Sequence, residues 1–314
     1  MKPKFANRRH LFTSAIAFAF AGLTATSASA ADQTYDAANA SNVWDTTTSN
    51  WDASAAVWTN GNNAIFNGTG ESVAVDGAIT VANLTFSTAG FTIAPGTGTF
   101  ALAAGTNTVT ATTGTSTISA LVGGTGAISK AGTGTLVLSN AGNTFSGGFT
   151  NTAGTTLVSG TGTGTTGVPT AGALGTGTVT LSGGTISNTG TASTTLFNNL
   201  LASAATTLNN GGGANGVNFM LNGALSGSAN VVVDCNAGAG FFGGIHLLGD
   251  NSAYSGTITL QGNSQARHKF DSANAGSAAA KWVLNGPTDS CSMNFHSAER
   301  ASAWMPSTSN RRST

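Results

Sequence analysis

Asp234, Cys235, His246 and Asp250 stand close together in the sequence, and they are the side-chain types that ligate a metal or serve a nucleophile. Either chemistry needs them converged on one point, with a base oriented by a third group. Their spacing follows no metal or hydrolase motif. The plain alternative places the aspartates in turns, Cys235 half-buried and His246 on the surface, and no metal or cofactor is expected. Cys235 has one other cysteine, Cys291, as a disulfide partner. In an oxidising compartment, a bridge closing a loop of that length stabilises by about 4 kcal/mol in the chain-entropy model; two reduced thiols are the alternative. A third set is Trp44, Trp51 and Trp58, at intervals of seven. Large amphipathic indole faces make a ligand-binding platform for stacking sugars, or else a lid over the apolar end of a fold, and the lid is the favoured reading.

Charge narrows the choice. Charged residues make up 7% of the 314, against about a quarter of an ordinary globular chain. Between Arg9 and Arg267 the one Lys or Arg is Lys130, and between Asp76 and Asp234 there is no Asp or Glu. A phosphate backbone is held by several Lys or Arg on one face, so nucleic acid is excluded as a partner. Carboxylate-type metal sites are excluded over the same stretch. Glycoside hydrolysis uses two placed carboxylates, and residues 78–233 contain none.

The elements that must position any such side chains are short strands. Gly, at 44 of 314, is about double its usual share. A mean hydropathy of +0.09 with little charge argues against disorder, which goes with low hydrophobicity and high net charge. The competing reading is a Gly/Thr linker. Val73, Val75, Ile79, Val81, Leu84 and Phe86 are spaced as strand residues are, and a linker has no reason to alternate. Residues 79–86, 91–93, 99–102 and 178–181 set apolar groups on one face and Thr on the other, where its β-branch suits the pleat. Gly-Thr and Gly-Gly pairs supply the corners. Asn143 and Asn151 read as turn residues, with an internal amide ladder as the alternative. Residues 191–227 read as strand and loop with a further rung at 217–221, because a helix begun at Leu196 would be ended by Asn209 and the glycines after it.

Four regions follow. Residues 1–30 read as an export signal: Lys2, Lys4, Arg8 and Arg9 form the positive segment, residues 11–23 the apolar core, and Ala28-Ser29-Ala30 the cleavage site. Asn7-Arg8-Arg9-His10-Leu11-Phe12 also resembles a twin-arginine signal. The core is shorter than the roughly 18 apolar residues a membrane span takes, and no later stretch reaches that length, so no transmembrane span is expected in the mature chain. Residues 31–70 hold the Trp-rich N-terminal cap and 71–295 the strands. Residues 296–314 form an atypical tail without Gly/Thr alternation, which reads as a truncated or frame-shifted end. The alternating ~10-residue strands of a transport barrel are not found.

The most regular stretch is residues 123–160, GGTGAISKAGTGTLVLSNAGNTFSGGFTNTAGTTLVSG, and a weaker copy, GGIHLLGDNSAYSGTITLQG, occupies 243–262. A recurring unit too small to bury its own apolar face points to stacked repeats. The pattern resembles the autotransporter-associated β-strand repeat. Gly124, Gly126, Ile128, Lys130, Gly132, Gly134, Thr135, Leu136 and Leu138 fall in its register, followed by Ser139, Asn143, Thr144, Phe145, Gly147, Gly148, Gly154, Thr155 and Leu157. Gly172-Ala173-Leu174-Gly175 and Val179-Thr180-Leu181-Ser182-Gly183-Gly184 are similar to what the family carries after each repeat. The resemblance is closest over residues 123–186. It implies an all-β, right-handed parallel β-helix (β-solenoid) on the outside of a bacterium, and no catalytic residues.

The expectation is therefore a secreted or cell-surface, non-enzymatic bacterial repeat protein with a structural or adhesive role, whose partners are extracellular glycans or proteins. The competing readings are a carbohydrate-binding module using Trp44, Trp51 and Trp58, and a polysaccharide-degrading enzyme on a β-helix. Fold analogy alone does not carry the enzyme.

Overall fold

A short run in which every second residue is apolar buries those residues only against other runs stacked beside it. In a computed structural model, described for residues 29–38, 41–211, 214–235, 243–262, 266–272, 275–285 and 291–295, such runs stack in parallel as a β-solenoid of about nine turns. Among the described residues there is no helix. Residues 1–28 of the expected export signal, 1–30, and the expected tail, 296–314, lie outside them.

One side of the solenoid is a nine-stranded sheet running from Asp32–Asp36 to Leu225–Gly227, and a second is an eleven-stranded sheet from Val43–Trp44 to Lys281–Asn285. The third side comes in two parts. Ala78–Val81, Thr99–Leu102 and Val122–Gly124 form its early sheet, and five strands from Thr194–Leu196 to Cys291–Phe295 form the late one. Residues 191–227 thus hold more regular strand than the sequence led us to expect: Thr194–Leu196, Leu200–Ala202, Thr206–Asn210, Asn218–Leu221 and Leu225–Gly227.

Twenty residues separate Thr135 from its partner Thr155, and thirty separate Thr155 from Thr185. The surplus goes into an antiparallel hairpin, Thr163–Thr165 with Val168–Ala171. Gly162 and Gly167 donate their N–H groups to Thr195 O and Phe197 O at 3.1 and 2.9 Å. The hairpin therefore lies along the first strand of the late third side, shielding an edge that would otherwise pair with another chain.

Inward residues stack in columns. Ile93, Ile118, Leu138 and Val158 follow one another in register and are all buried. So do Ala64, Leu84 and Val109 on the nine-stranded side. The expected strand residues Val73, Val75, Ile79, Val81, Leu84 and Phe86 are all buried. Alternation misleads in the strand Thr155–Val158, where Thr156 and Val158 point inward and Leu157 lies on the partly exposed outer face.

The N-terminal end of the core is closed by aromatic side chains. Trp51 bridges Tyr35 and Ala56 in antiparallel fashion. Asp36 N–H donates to Asn50 O at 2.8 Å, and Asp52 N–H to Thr34 O at 2.7 Å. These bonds occupy the outer edge of the first strand, so the covering segment is narrower than 31–70: Asp32–Asp36, Val43–Trp44 and Asn63–Asn67 are already solenoid strands.

Candidate functional site

The four residues that open the sequence argument do not converge. Asp234 lies in the strand Val231–Cys235, in register with Asn209, whose Nδ2 donates to Asp234 Oδ2 at 3.1 Å; it is not a turn residue. Cys235 is fully rather than half buried, and its Sγ donates to Gly243 O at 3.1 Å. His246 stands on the outer face of the late third side, in register with Lys269. Asp250 is a turn aspartate that accepts Ser252 N–H at 3.0 Å. Among the described residues, no three of His, Cys, Asp or Glu are grouped as metal ligands are.

Cys235 is a thiol here. Ala266 lies opposite Gly243, and Cys291 opposite Ala266. The strand bearing Cys291 is thus two turns beyond Gly243, the acceptor of the Cys235 thiol. At about 4.7–4.9 Å per strand, two turns exceed the roughly 4.4–6.8 Å between Cα atoms that a disulfide spans. Backbone register therefore argues against a Cys235–Cys291 bridge.

The three tryptophans meet one another, which corrects the sugar-platform reading. Trp44, Trp51 and Trp58 are at most 2% exposed. Their ring centroids lie 4.6–5.1 Å apart, and Trp44 also packs on Phe66 and Phe100, at 5.4 Å from each. A sugar needs an exposed indole face, and here those faces lie against other rings. Trp58 Nε1 donates to Asn60 Oδ1 at 3.0 Å.

Several polar residues lie inside the solenoid, among them the two for which an internal amide ladder is the alternative reading. Asn143 and Asn151 are both buried; Asn143 closes a turn, as expected, its N–H donating to Asn140 O at 3.4 Å, whereas Asn151 ends the strand Phe149–Asn151. Asn143 Oδ1 accepts Val122 N–H at 2.9 Å and its Nδ2 donates to Ala173 O at 3.0 Å, joining the turn before it to the turn after. Asn251 does the same between Leu225 N–H and Ala275 O, at 2.7 and 2.6 Å. The signal was present in the recurring string that ends Phe145-Ser146-Gly147 in one copy and Tyr254-Ser255-Gly256 in the other, since both aromatics are buried too. Lys130 is also buried, its Nζ donating to three carbonyl oxygens. Burial pulls its pKa down to about 8; the carbonyl dipoles work the other way, and it remains an ammonium at neutral pH.

His268, in the strand Ala266–Phe270, points inward and is buried. Its Nδ1 accepts Ile245 N–H at 3.4 Å, which leaves Nε2 to donate to Gln261 O at 3.1 Å, the arrangement of a neutral imidazole. Burial lowers its pKa below 6.5, against the opposing pull of the Gln261 carbonyl and of Asp234. His246 is lowered to about 4 by burial, by Lys269 and by His268, with Asp271 opposing. Both folded-state values lie below the unfolded one, so below pH 6.5 the unfolded chain takes up protons that the folded chain refuses. Stability should be fully present above about pH 6.5 and fall as pH drops toward 4. Urea midpoints measured from pH 7 to pH 5, above the ordinary carboxylate range, should decline, and His268→Gln should flatten the decline. A midpoint constant over that interval would contradict the burial of the His268 ring.

What remains at the surface is a long neutral face. On the outside of the eleven-stranded sheet, Thr115, Thr135, Thr155, Thr185 and Thr207 stand in register, one per turn. Lys130 is the one ionisable side chain among residues 77–233 and it is buried, so that length of solenoid adds no charge to the surface. No protein-family model, no curated protein and no solved structure matches the chain.

Proposed function

We propose that this chain is an exported, non-catalytic surface protein of a bacterium with a structural or adhesive role, meeting its partners through the neutral sides of the solenoid. The observation that carries this reading is the uncharged, hydroxyl-lined surface of residues 77–233, which offers many weak contacts. The sequence resemblance to the autotransporter-associated β-strand repeat points the same way. The candidate cleavage site supports export: cutting after Ala30 leaves the strand Asp32–Asp36 whole. A surface without charge attracts partners without electrostatic steering, so adhesion should be insensitive to salt.

The test is to express the full chain in a bacterial host, label intact cells and sequence the N-terminus of the recovered protein. The mature chain should begin at Ala31 and be reachable from outside. Purified protein on a glycan and matrix-protein array should bind the same features at low and high salt. Intact Met1 on protein from the envelope or medium would overturn the export reading. Release of reducing ends from a polysaccharide would replace adhesion by the enzyme reading.

A further inference from the structure

Lys130 occupies a position that its column otherwise gives to apolar or amide side chains: in register, Val109 precedes it and Asn151 follows. The carbonyl oxygens of Gly132, Gly134 and Ala153 converge on its Nζ at 2.9, 2.7 and 2.9 Å. Two of them belong to the corner that follows its own strand, and the third to the same corner one turn on. Gly154 lets the backbone come this close. Its φ is +65°, and a Cβ there would lie 2.5 Å from the carbonyl oxygens of Gly132 and Gly134 and 2.6 Å from Nζ. Because no acidic residue lies between Asp76 and Asp234, the ammonium is balanced within this stretch by carbonyl dipoles alone. One turn on, Asn151 Nδ2 donates to Gly183 O at 2.6 Å, so a donor at this corner recurs while the cation does not.

We infer that this corner is a cation site built from backbone carbonyls, which the chain fills with its own ammonium and which takes a monovalent cation of similar size, ammonium or potassium, when the lysine side chain is shortened. Rings of backbone carbonyls hold potassium by standing in for its hydration shell. The oxygen distances of 2.7–2.9 Å are longer than the roughly 2.3–2.6 Å of calcium or the ~2.0–2.1 Å of magnesium. With no carboxylate in this stretch of chain, the corner suits a single positive charge. The inference is independent of where the protein acts or what it adheres to.

Two variants of the full chain test it. Lys130→Val repeats the residue one turn earlier in the same column, and Lys130→Ala leaves more room. Urea unfolding is followed by circular dichroism in equal concentrations of ammonium, potassium, sodium and tetramethylammonium chloride. The variants should show midpoints higher by about 0.5 M urea in ammonium and potassium than in tetramethylammonium, as expected when a ligand binds the folded state alone. The parent chain, whose site is already filled, sets the general salt effect and should lack this difference. Variants whose midpoints follow the salts only as the parent does would overturn the inference, and so would the failure of both to fold in all four.

Discussion

Truncating Trp44 to Ala should lower the unfolding free energy by about 3–5 kcal/mol, the range for removing a large buried aromatic and leaving a cavity. Trp44 is fully buried and its ring lies within 5.4 Å, centroid to centroid, of Trp51, Trp58, Phe66 and Phe100. The void would therefore open where the end of the core meets its covering segment. Because turns are held by their neighbours, the loss should be greatest at the N-terminal end. Hydrogen exchange should show Asp32–Asp36 and Asn63–Asn67 losing protection before the later turns. Trp44→Phe should cost less, since Trp44 Nε1 makes no hydrogen bond to lose, whereas Trp58→Phe also gives up the bond to Asn60. A sugar platform predicts the opposite pattern: glycan binding lost in Trp44→Ala with the urea melt unchanged. That pair of results would restore the platform and remove the cap.

How much of this was legible in the sequence depended on range. Alternation is a local property, and it marked the inward faces of Val73 to Phe86 because a period of two is all a strand needs to sort its sides. The Trp-rich opening was legible as a cap for a related reason: large apolar side chains ahead of the first regular strands have an open core end to cover. Which polar residues go inside was not legible. Thr156 faces inward because its Oγ1 donates to Asn151 Oδ1 at 2.8 Å, and Asn151 faces inward because Gly183 O waits one turn on. Asn143 needs Val122 on one side and Ala173 on the other. Thr156 finds its partner five residues back, but the partners of Asn143 and Asn151 lie 21 to 32 residues away, set by turn lengths that Gly/Thr spelling does not disclose. Lys130 is the sharpest case. It is the lone cation of a long neutral stretch, and the convergence of three carbonyls from two successive corners accounts for its burial.

The surplus hairpin shows the same limit from the other direction. Residues 161–171 carry the Gly, Thr and Val composition of the rungs around them, yet they pair antiparallel and leave the Thr ladder in register from Thr155 to Thr185. Composition identified strand there, and only long-range register separated a rung from an excursion. The dispersal of Asp234, Cys235, His246 and Asp250 follows from this geometry too. Closeness in sequence within a solenoid carries side chains from one side of the turn to another, and period two then divides them between inside and outside.

Truncating Leu138 to Ala should cost about 2–5 kcal/mol, from lost transfer energy and the cavity left behind. Leu138 is buried between Ile118 and Val158, its register partners in the turns before and after. Leu136 is buried as well, and its partners are Ser116 and Thr156, so Leu136→Ala should fall in the lower half of the same range. Thr135 and Ser139 lie on the partly exposed side of the same strand run. Changing either to Ala should cost under about 0.5 kcal/mol. Each rung is held by those next to it, so the leucine changes should loosen adjacent turns as well as their own. Hydrogen exchange would record this as protection lost outward from the strand Thr135–Leu138 to Ala127–Ala131 and Thr155–Val158, with the early strands Ser72–Val75 and Ala78–Val81 affected last. Urea melts in which leucine and threonine substitutions cost the same would mean that the strand faces are reversed. The column running from Ile93 to Val158 would then not be the interior of the solenoid, and the neutral threonine face would lose its claim to be the surface that partners meet.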